Sequence, residues 1–212
     1  MHNNSLAFPN LSSAGRKLAP ELAAYQNVPD TVVLGIASGG VPVAREVANF
    51  LDAPLDLILI RRLLIGDDAG SHICAVNVGG PTIIDDEITF VENPSTPLEH
   101  FLSEAIAGLD ERERVCRRGR SPLDLTGRTV IVVDCGIRTG STMRVAARAV
   151  RRVKPKRMIG AIPVSSREGY QTVAPLFDDL ICLMQPEQFV NAGYWYSDFT
   201  RPGDDRVGDL LE

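Results

Sequence analysis

The sequence predicts an α/β fold: a doubly wound, mostly parallel sheet flanked by helices. Three observations predict it. Short β-rich apolar runs alternate with amphipathic helical stretches, two of the runs end in glycine-bearing turns that open helices, and the runs are apolar throughout rather than at every second residue. Continuous apolar character marks strands buried on both faces, as in parallel sheets covered by helices. The 212 residues, 44% hydrophobic and 23% charged, suit one sizeable domain over residues 1–212 and are too few for two enzymatic domains.

The elements follow in order. Leu18, Leu22 and Tyr25 recur at roughly helical spacing, which predicts a helix over Ser12 to Tyr25 ahead of a turn at Asn27 to Asp30. Thr31 to Ile36 reads as a strand, Gly39 and Gly40 as a turn, and Val41 to Leu51 as a helix. Asp56 to Ile60 is a second buried strand, which Arg61 and Arg62 are expected to end. Residues 64–81 are rich in Gly, Asp and small side chains and are expected to form a long flexible loop. Leu98, Phe101, Leu102, Ala105, Ile106 and Leu109 step by three and four, predicting a long amphipathic helix over Pro97 to Arg118. Val130 to Val133 is a third strand, followed by a turn over Asp134 to Thr142 and a helix through Val153 that Pro155 terminates. Met158 to Val164 and Leu180 to Leu183 supply two more strands.

Composition excludes several classes of function. A net charge of −5 gives no general attraction to nucleic acid or to anionic membranes, so phosphate binding has to be local. The arginines at 112, 114, 117, 118 and 120 are interleaved with Glu111 and Glu113, as on a solvated helix face. Cys74, Cys116, Cys135 and Cys182 form no CxxC pair, and His72 near Cys74 is not enough for a zinc site. Asp85, Asp86 and Glu87 cluster on an expected turn and are not assigned as metal ligands. No apolar run approaches membrane-spanning length and Met1 to Asn10 is polar, so a cytoplasmic protein with no membrane or nucleic-acid partner is expected.

Ligands in open parallel sheets sit beyond the carboxyl ends of the strands, where helix amino termini favour anions. Both glycine turns have that location. In Val130-Ile131-Val132-Val133-Asp134-Cys135-Gly136-Ile137-Arg138-Thr139-Gly140-Ser141-Thr142, backbone amides and hydroxyls can surround a monophosphate while Asp134 accepts hydrogen bonds from ribose hydroxyls. A Gly-x-Ser-x-Gly elbow, which would favour ester hydrolysis, is absent.

That segment resembles the phosphoribosyl diphosphate motif of the type I phosphoribosyltransferases, in which an apolar strand is followed by two acidic residues and a Thr-Gly turn. Asp134 takes the first acidic position, whereas Cys135 stands where the family usually has a second carboxylate and Arg138 where purine-salvage members tend to carry an acid. The resemblance implies that residues Asp134, Cys135, Gly136, Ile137, Arg138, Thr139, Gly140, Ser141 and Thr142 bind phosphate and ribose. It further implies that Ala37, Ser38, Gly39 and Gly40 grip the diphosphate, in a loop that often carries a non-proline cis peptide, here near Ala37-Ser38. Arg61 and Arg62 match a basic position that contacts diphosphate, which makes them, with Asp134, the catalytic candidates. Phe189 to Trp195 is similar to the base-covering hood of hypoxanthine-type members, with Phe189 and Trp195 as base-binding candidates in a carboxyl-terminal hood over residues 185–212. The order of motifs from about residue 12 to 200 resembles a group of largely uncharacterised bacterial phosphoribosyltransferase-domain proteins.

What the resemblance implies is transfer of a phosphoribosyl group from phosphoribosyl diphosphate to a nucleobase or similar nitrogen acceptor, with Mg²⁺ held mainly by the ligand's own oxygens rather than by the protein. It also implies a homodimer. Cys135 leaves a second reading open, a module of the same fold that senses a nucleotide or phosphoribosyl diphosphate without turnover.

Overall fold

The structure is a computed structural model that describes residues 7–64, 72–78, 83–85 and 98–212. Its described elements run α1 (Leu11–Leu18), β1 (Thr31–Ile36), α2 (Gly40–Leu51), β2 (Leu55–Leu64), β3 (His72–Asn77), β4 (Ile83–Asp85), α3 (Leu98–Arg117), β5 (Thr129–Val133), α4 (Ser141–Arg152), β6 (Arg157–Val164), α5 (Arg167–Val173), β7 (Asp179–Met184) and α6 (Asp204–Leu211). The sheet has seven strands in the order β4-β3-β2-β1-β5-β6-β7. Five of them, β2, β1, β5, β6 and β7, are parallel, while β3 and β4 add to one side as antiparallel strands. The chain winds outward from β1 to β2, then returns to place β5 on the other side of β1, so the order reverses between β1 and β5.

Burial explains why the apolar runs form the centre. Every residue of β1 and β5 is buried. Alternate residues face opposite layers: Val32, Leu34, Val130 and Val132 pack with Met143, Ala146 and Val150 of α4, whereas Val33, Ile131 and Val133 pack with Val43 and Val47 of α2 and Leu11 and Ala14 of α1. A third cluster seats α3 and α6 over β2 through Leu57, Leu59, Ala105, Leu109 and Val207. Beneath it lies a buried ion pair, Arg117 Nη1 to Asp56 Oδ1 at 2.6 Å.

Three expectations are corrected. The second strand does not stop at Arg61 and Arg62 but continues to Leu64, because it pairs antiparallel with His72–Asn77. That hairpin also takes Leu64 and His72–Asn77 out of the expected 64–81 loop, whose Gly and Asp content masked the short Ile73 to Val76 apolar run; residues 65–71 and 79–82 lie outside the described residues, as do Asp86 and Glu87. The first helix is α-helical only to Leu18, and Ala19–Tyr25 is a 3₁₀ segment with Pro20 at its start, where proline removes an amide and crowds the carbonyl four residues back. The basic stretch of α3 is tied down by carboxylates: Arg112 to Asp204 at 2.9 Å, Arg114 to Glu111 at 2.6 Å and Arg118 to Asp209 at 2.8 Å. No helix among the described residues is long and apolar enough to cross a membrane.

Candidate active site at the carboxyl edge of the sheet

Parallel pairing with Gly35 opposite Val133 brings the ends of β1 and β5 level, so the two glycine turns leave the sheet side by side. They touch. A Cβ on Gly40 would lie 2.5 Å from the Val133 carbonyl oxygen and 3.1 Å from Asp134 Cα, so only glycine lets the first turn press against the second. The Ala37-Ser38 peptide in the first turn is cis, at the place the family resemblance indicates.

The second turn frames a cavity of about 220 Å³ lined by Asp134, Gly136 to Met143, Asn191, Ala192 and Arg201. Its shape is held by the end of β6 and the cap of α5: Ile137 N–H donates to Val164 O at 3.0 Å, Ser166 N–H to Ile137 O at 2.9 Å, and the Ser166 hydroxyl to Arg138 O. Gly140 caps α4 at φ 81°, a left-handed conformation that suits glycine, and α4 has no side-chain cap. The positive end of the helix dipole therefore opens onto the cavity. Thr139 donates to Ser141 Oγ at 3.3 Å. Asp134 is 9% exposed, and its Oδ1 accepts the Cys135 amide at 2.7 Å, which fixes the carboxylate at the strand end.

The remaining candidates divide. Cys135 does not line the cavity. Its thiol is buried with the α1 and α2 core cluster, 2.8 Å from where a Gly39 Cβ would stand, and burial with the neighbouring Asp134 charge pushes it well above the usual thiol range. Arg61 is not brought to the cavity either: its guanidinium lies on α3 against Gly108 and donates to Glu104 O at 3.3 Å. The Arg62 side chain is outside the described residues. Phe189 and Trp195 pack partly buried against the α1 and α2 cluster and do not line the cavity.

The carboxyl-terminal segment nevertheless closes over the turn, through Asn191, Ala192 and Arg201. Its anchor is a short pairing with the amino-terminal segment, Phe8 N–H to Trp195 O at 3.0 Å and Ser197 N–H to Phe8 O at 2.9 Å. The buried Tyr196 hydroxyl adds a 2.6 Å bond to Cys135 O. Arg201 lines the cavity and was not singled out in the sequence. Its Nε would be 3.3 Å from a Gly39 Cβ, which sets this cation between the two glycine turns. Distance in sequence hid it, although its place after an aromatic cluster already assigned to a hood was a usable signal.

The phosphoribosyl transferase domain model matches residues 3–194 of this chain. The chain belongs to that family. It is 32% identical over 206 residues to Mycobacterium tuberculosis proteins of strains CDC 1551 and H37Rv, each named "Putative phosphoribosyl transferase"; the match covers 97% of this chain and 46% of theirs. The chain thus spans about half the length of the curated relatives it matches. Among solved structures, TT1426 from Thermus thermophilus is 30% identical, with a TM-score of 0.80 over 96% of this chain and 97% of that one. A Neisseria gonorrhoeae protein solved with bound ppGpp shares the fold at 15% identity and a TM-score of 0.53, over 95% of this chain and 90% of that one.

Proposed function

We propose that this phosphoribosyl transferase domain binds phosphoribosyl diphosphate and transfers its phosphoribosyl group to a nucleobase or related nitrogen acceptor, releasing diphosphate. The observation that carries the reading is the convergence, at the strand-order reversal, of Asp134, the Thr139 to Thr142 turn at the start of α4, and Arg201 beside Gly39. In this reading the 5′-phosphate sits on the amino end of α4, Asp134 holds the ribose hydroxyls, and the amides of Ala37 to Gly40 with Arg201 receive the diphosphate. The nitrogen lone pair forms a bond to C1 as the C1–O bond breaks, and the electron pair leaves with the diphosphate. The protein supplies fixed positive charge where negative charge grows on the leaving group.

A resident metal cage is not part of this reading. Among the described residues no cluster of His, Cys, Asp or Glu could hold a metal ion, and Asp134 is the one carboxylate lining the cavity. That donor set fits Mg²⁺ carried by the ligand's oxygens and water, with Asp134 as a contact, and Mg²⁺ so bound would offset the diphosphate charge. The proposal includes a homodimer in the cytoplasm, as the family resemblance implies; sedimentation velocity tests the dimer.

Cys135 favours a second reading, a sensing module without turnover, because no second carboxylate stands beside Asp134. Diphosphate release from phosphoribosyl diphosphate and Mg²⁺ over a panel of nucleobases separates the two. Acceptor-dependent release supports the transferase, and tight binding with no release across the panel supports the sensor.

A further inference from the structure

Arg201 stands beside Gly39, with Nε 3.3 Å and Cδ 3.6 Å from where a Cβ would lie. Charge pairing does not hold it there. Arg201 is exposed and makes no ion pair or side-chain hydrogen bond with the described residues. A long exposed side chain has rotamer freedom to lose when it meets a ligand, which weakens any contact it makes. What restrains it is a ring: its guanidinium carbon lies over Phe199, 5.0 Å from the centroid, within the range of a cation–π contact.

The ring is itself fixed. Phe199 meets the Tyr196 ring at 4.9 Å between centroids, and a Cβ on Gly193 would come within 2.8 Å of Phe199 Cδ1, so the chain passes close against it. Tyr196 is buried, packs on Phe8 at 5.2 Å between centroids and bonds Cys135 O through its hydroxyl. Between ring and cation the Asp198 carboxylate accepts the Thr200 amide at 2.9 Å, which bends the chain, while Asp198 N–H donates to Pro9 O at 2.9 Å. Just past Arg201, Asp204 opens α6 and takes a two-pronged bond from Arg112, Nε to Oδ2 and Nη2 to Oδ1, both at 2.9 Å. The segment from Tyr196 to Asp204 is thus clamped at both ends, with Arg201 between the clamps.

We infer that Phe199 and Asp204 are positioning residues for the diphosphate: Phe199 holds the Arg201 guanidinium beside Gly39 by stacking, and Asp204 fixes the chain that follows it. The inference rests on the transferase reading above, in which Arg201 receives the diphosphate, and deepens it. A ring suits this task better than a carboxylate. An acid beside Arg201 would neutralise its charge and occupy its N–H groups, whereas an aromatic face orients the guanidinium and leaves those donors for ligand oxygens.

The test titrates phosphoribosyl diphosphate, and ribose 5-phosphate as the probe that lacks the diphosphate, in a calorimeter with Mg²⁺ present. The proteins are the wild-type chain, Phe199→Leu, Phe199→Trp and Asp204→Asn, each also combined with Arg201→Ala. Phe199→Leu is expected to weaken phosphoribosyl diphosphate binding about 3- to 30-fold and to leave ribose 5-phosphate binding unchanged. Phe199→Trp, which keeps an aromatic face, should restore most of that affinity. Asp204→Asn should weaken the same ligand about 2- to 5-fold, the scale of a partly exposed ion pair. With Arg201→Ala neither substitution should cost anything further, because its effect runs through the arginine. Equal losses for both ligands, losses that persist without Arg201, or wild-type affinity in both single variants would overturn the inference. Asp204 lies outside the aromatic cluster, so Asp204→Asn decides the point if Phe199→Leu does not fold. A wild-type chain that fails to bind phosphoribosyl diphosphate, or an Arg201→Ala chain that binds it at full strength, sinks the parent reading, and those two titrations show it before any Phe199 variant is made.

Discussion

Replacing Gly40 with alanine puts a methyl group into the seam between the two glycine turns. The new Cβ would sit 2.5 Å from Val133 O, about 0.9 Å short of the 3.4 Å at which ordinary contact begins, and 3.1 Å from Asp134 Cα. Both obstructing atoms are backbone at the end of a fully buried strand, so no rotamer change relieves the clash. Overpacking of this kind costs about 1–3 kcal/mol. Alanine at the first residue of α2 regains less than the ~1 kcal/mol helix-interior advantage over glycine, so a net loss of about 1–2 kcal/mol is expected. For a chain of this length that corresponds to a fall in Tm of roughly 2–8 °C. Relief comes from moving the first turn away from Asp134, which shifts the diphosphate and ribose contacts apart by up to ~1 Å, enough to cost about 100-fold in transfer rate. Differential scanning calorimetry and a diphosphate-release assay read the two effects. Wild-type Tm together with wild-type activity would refute the claim that the turns act as one closely fitted site.

Arg201→Ala is expected to weaken phosphoribosyl diphosphate binding by ~1.5–3 kcal/mol, the scale of a charged hydrogen bond, while Arg61→Ala leaves it unchanged; the reverse pattern in calorimetry would restore Arg61 to the site. Asp134→Asn should cost ~1–3 kcal/mol in the same titration, and unchanged affinity would remove Asp134 from ribose binding. Arg117→Met strands Asp56 as a buried charge and should lower stability by ~3–5 kcal/mol in chemical denaturation, with no direct effect on ligand contacts on the far edge of the sheet. The Cys116 and Cys182 thiols are both pushed up to about 11, with burial the largest cause. The unfolded chain therefore releases thiol protons near pH 9 that the folded chain keeps, so the contribution of these thiols to stability should be constant below about pH 8 and fall as pH rises toward 11. Denaturation midpoints that rise over that interval would contradict the assignment.

Much of the fold was legible because the central strands are apolar without interruption, and only burial on both faces allows that. β1, β5 and β6 fall within a residue or two of their expected bounds. What stayed hidden depended on partners distant in sequence. β3 is a strand because β2 runs on to meet it, and α6, with two acidic residues in its first turn, is held by arginines about 90 residues earlier. In the site, the turn over residues 136–142 was readable since its glycine, hydroxyl and helix-opening pattern is contiguous. The direction of a side chain was harder to read. Arg61 was placed by its sequence neighbourhood, and the structure turns it onto α3, whereas Arg201 comes from the chain's far end to stand beside Gly39.

The most direct test of the account is calorimetric titration of the wild-type chain with phosphoribosyl diphosphate, with and without Mg²⁺, beside Asp134→Asn. The account predicts one site per chain, tighter with Mg²⁺ and weakened by the substitution. No heat of binding at millimolar ligand in either condition, from a chain shown to be folded, would contradict it.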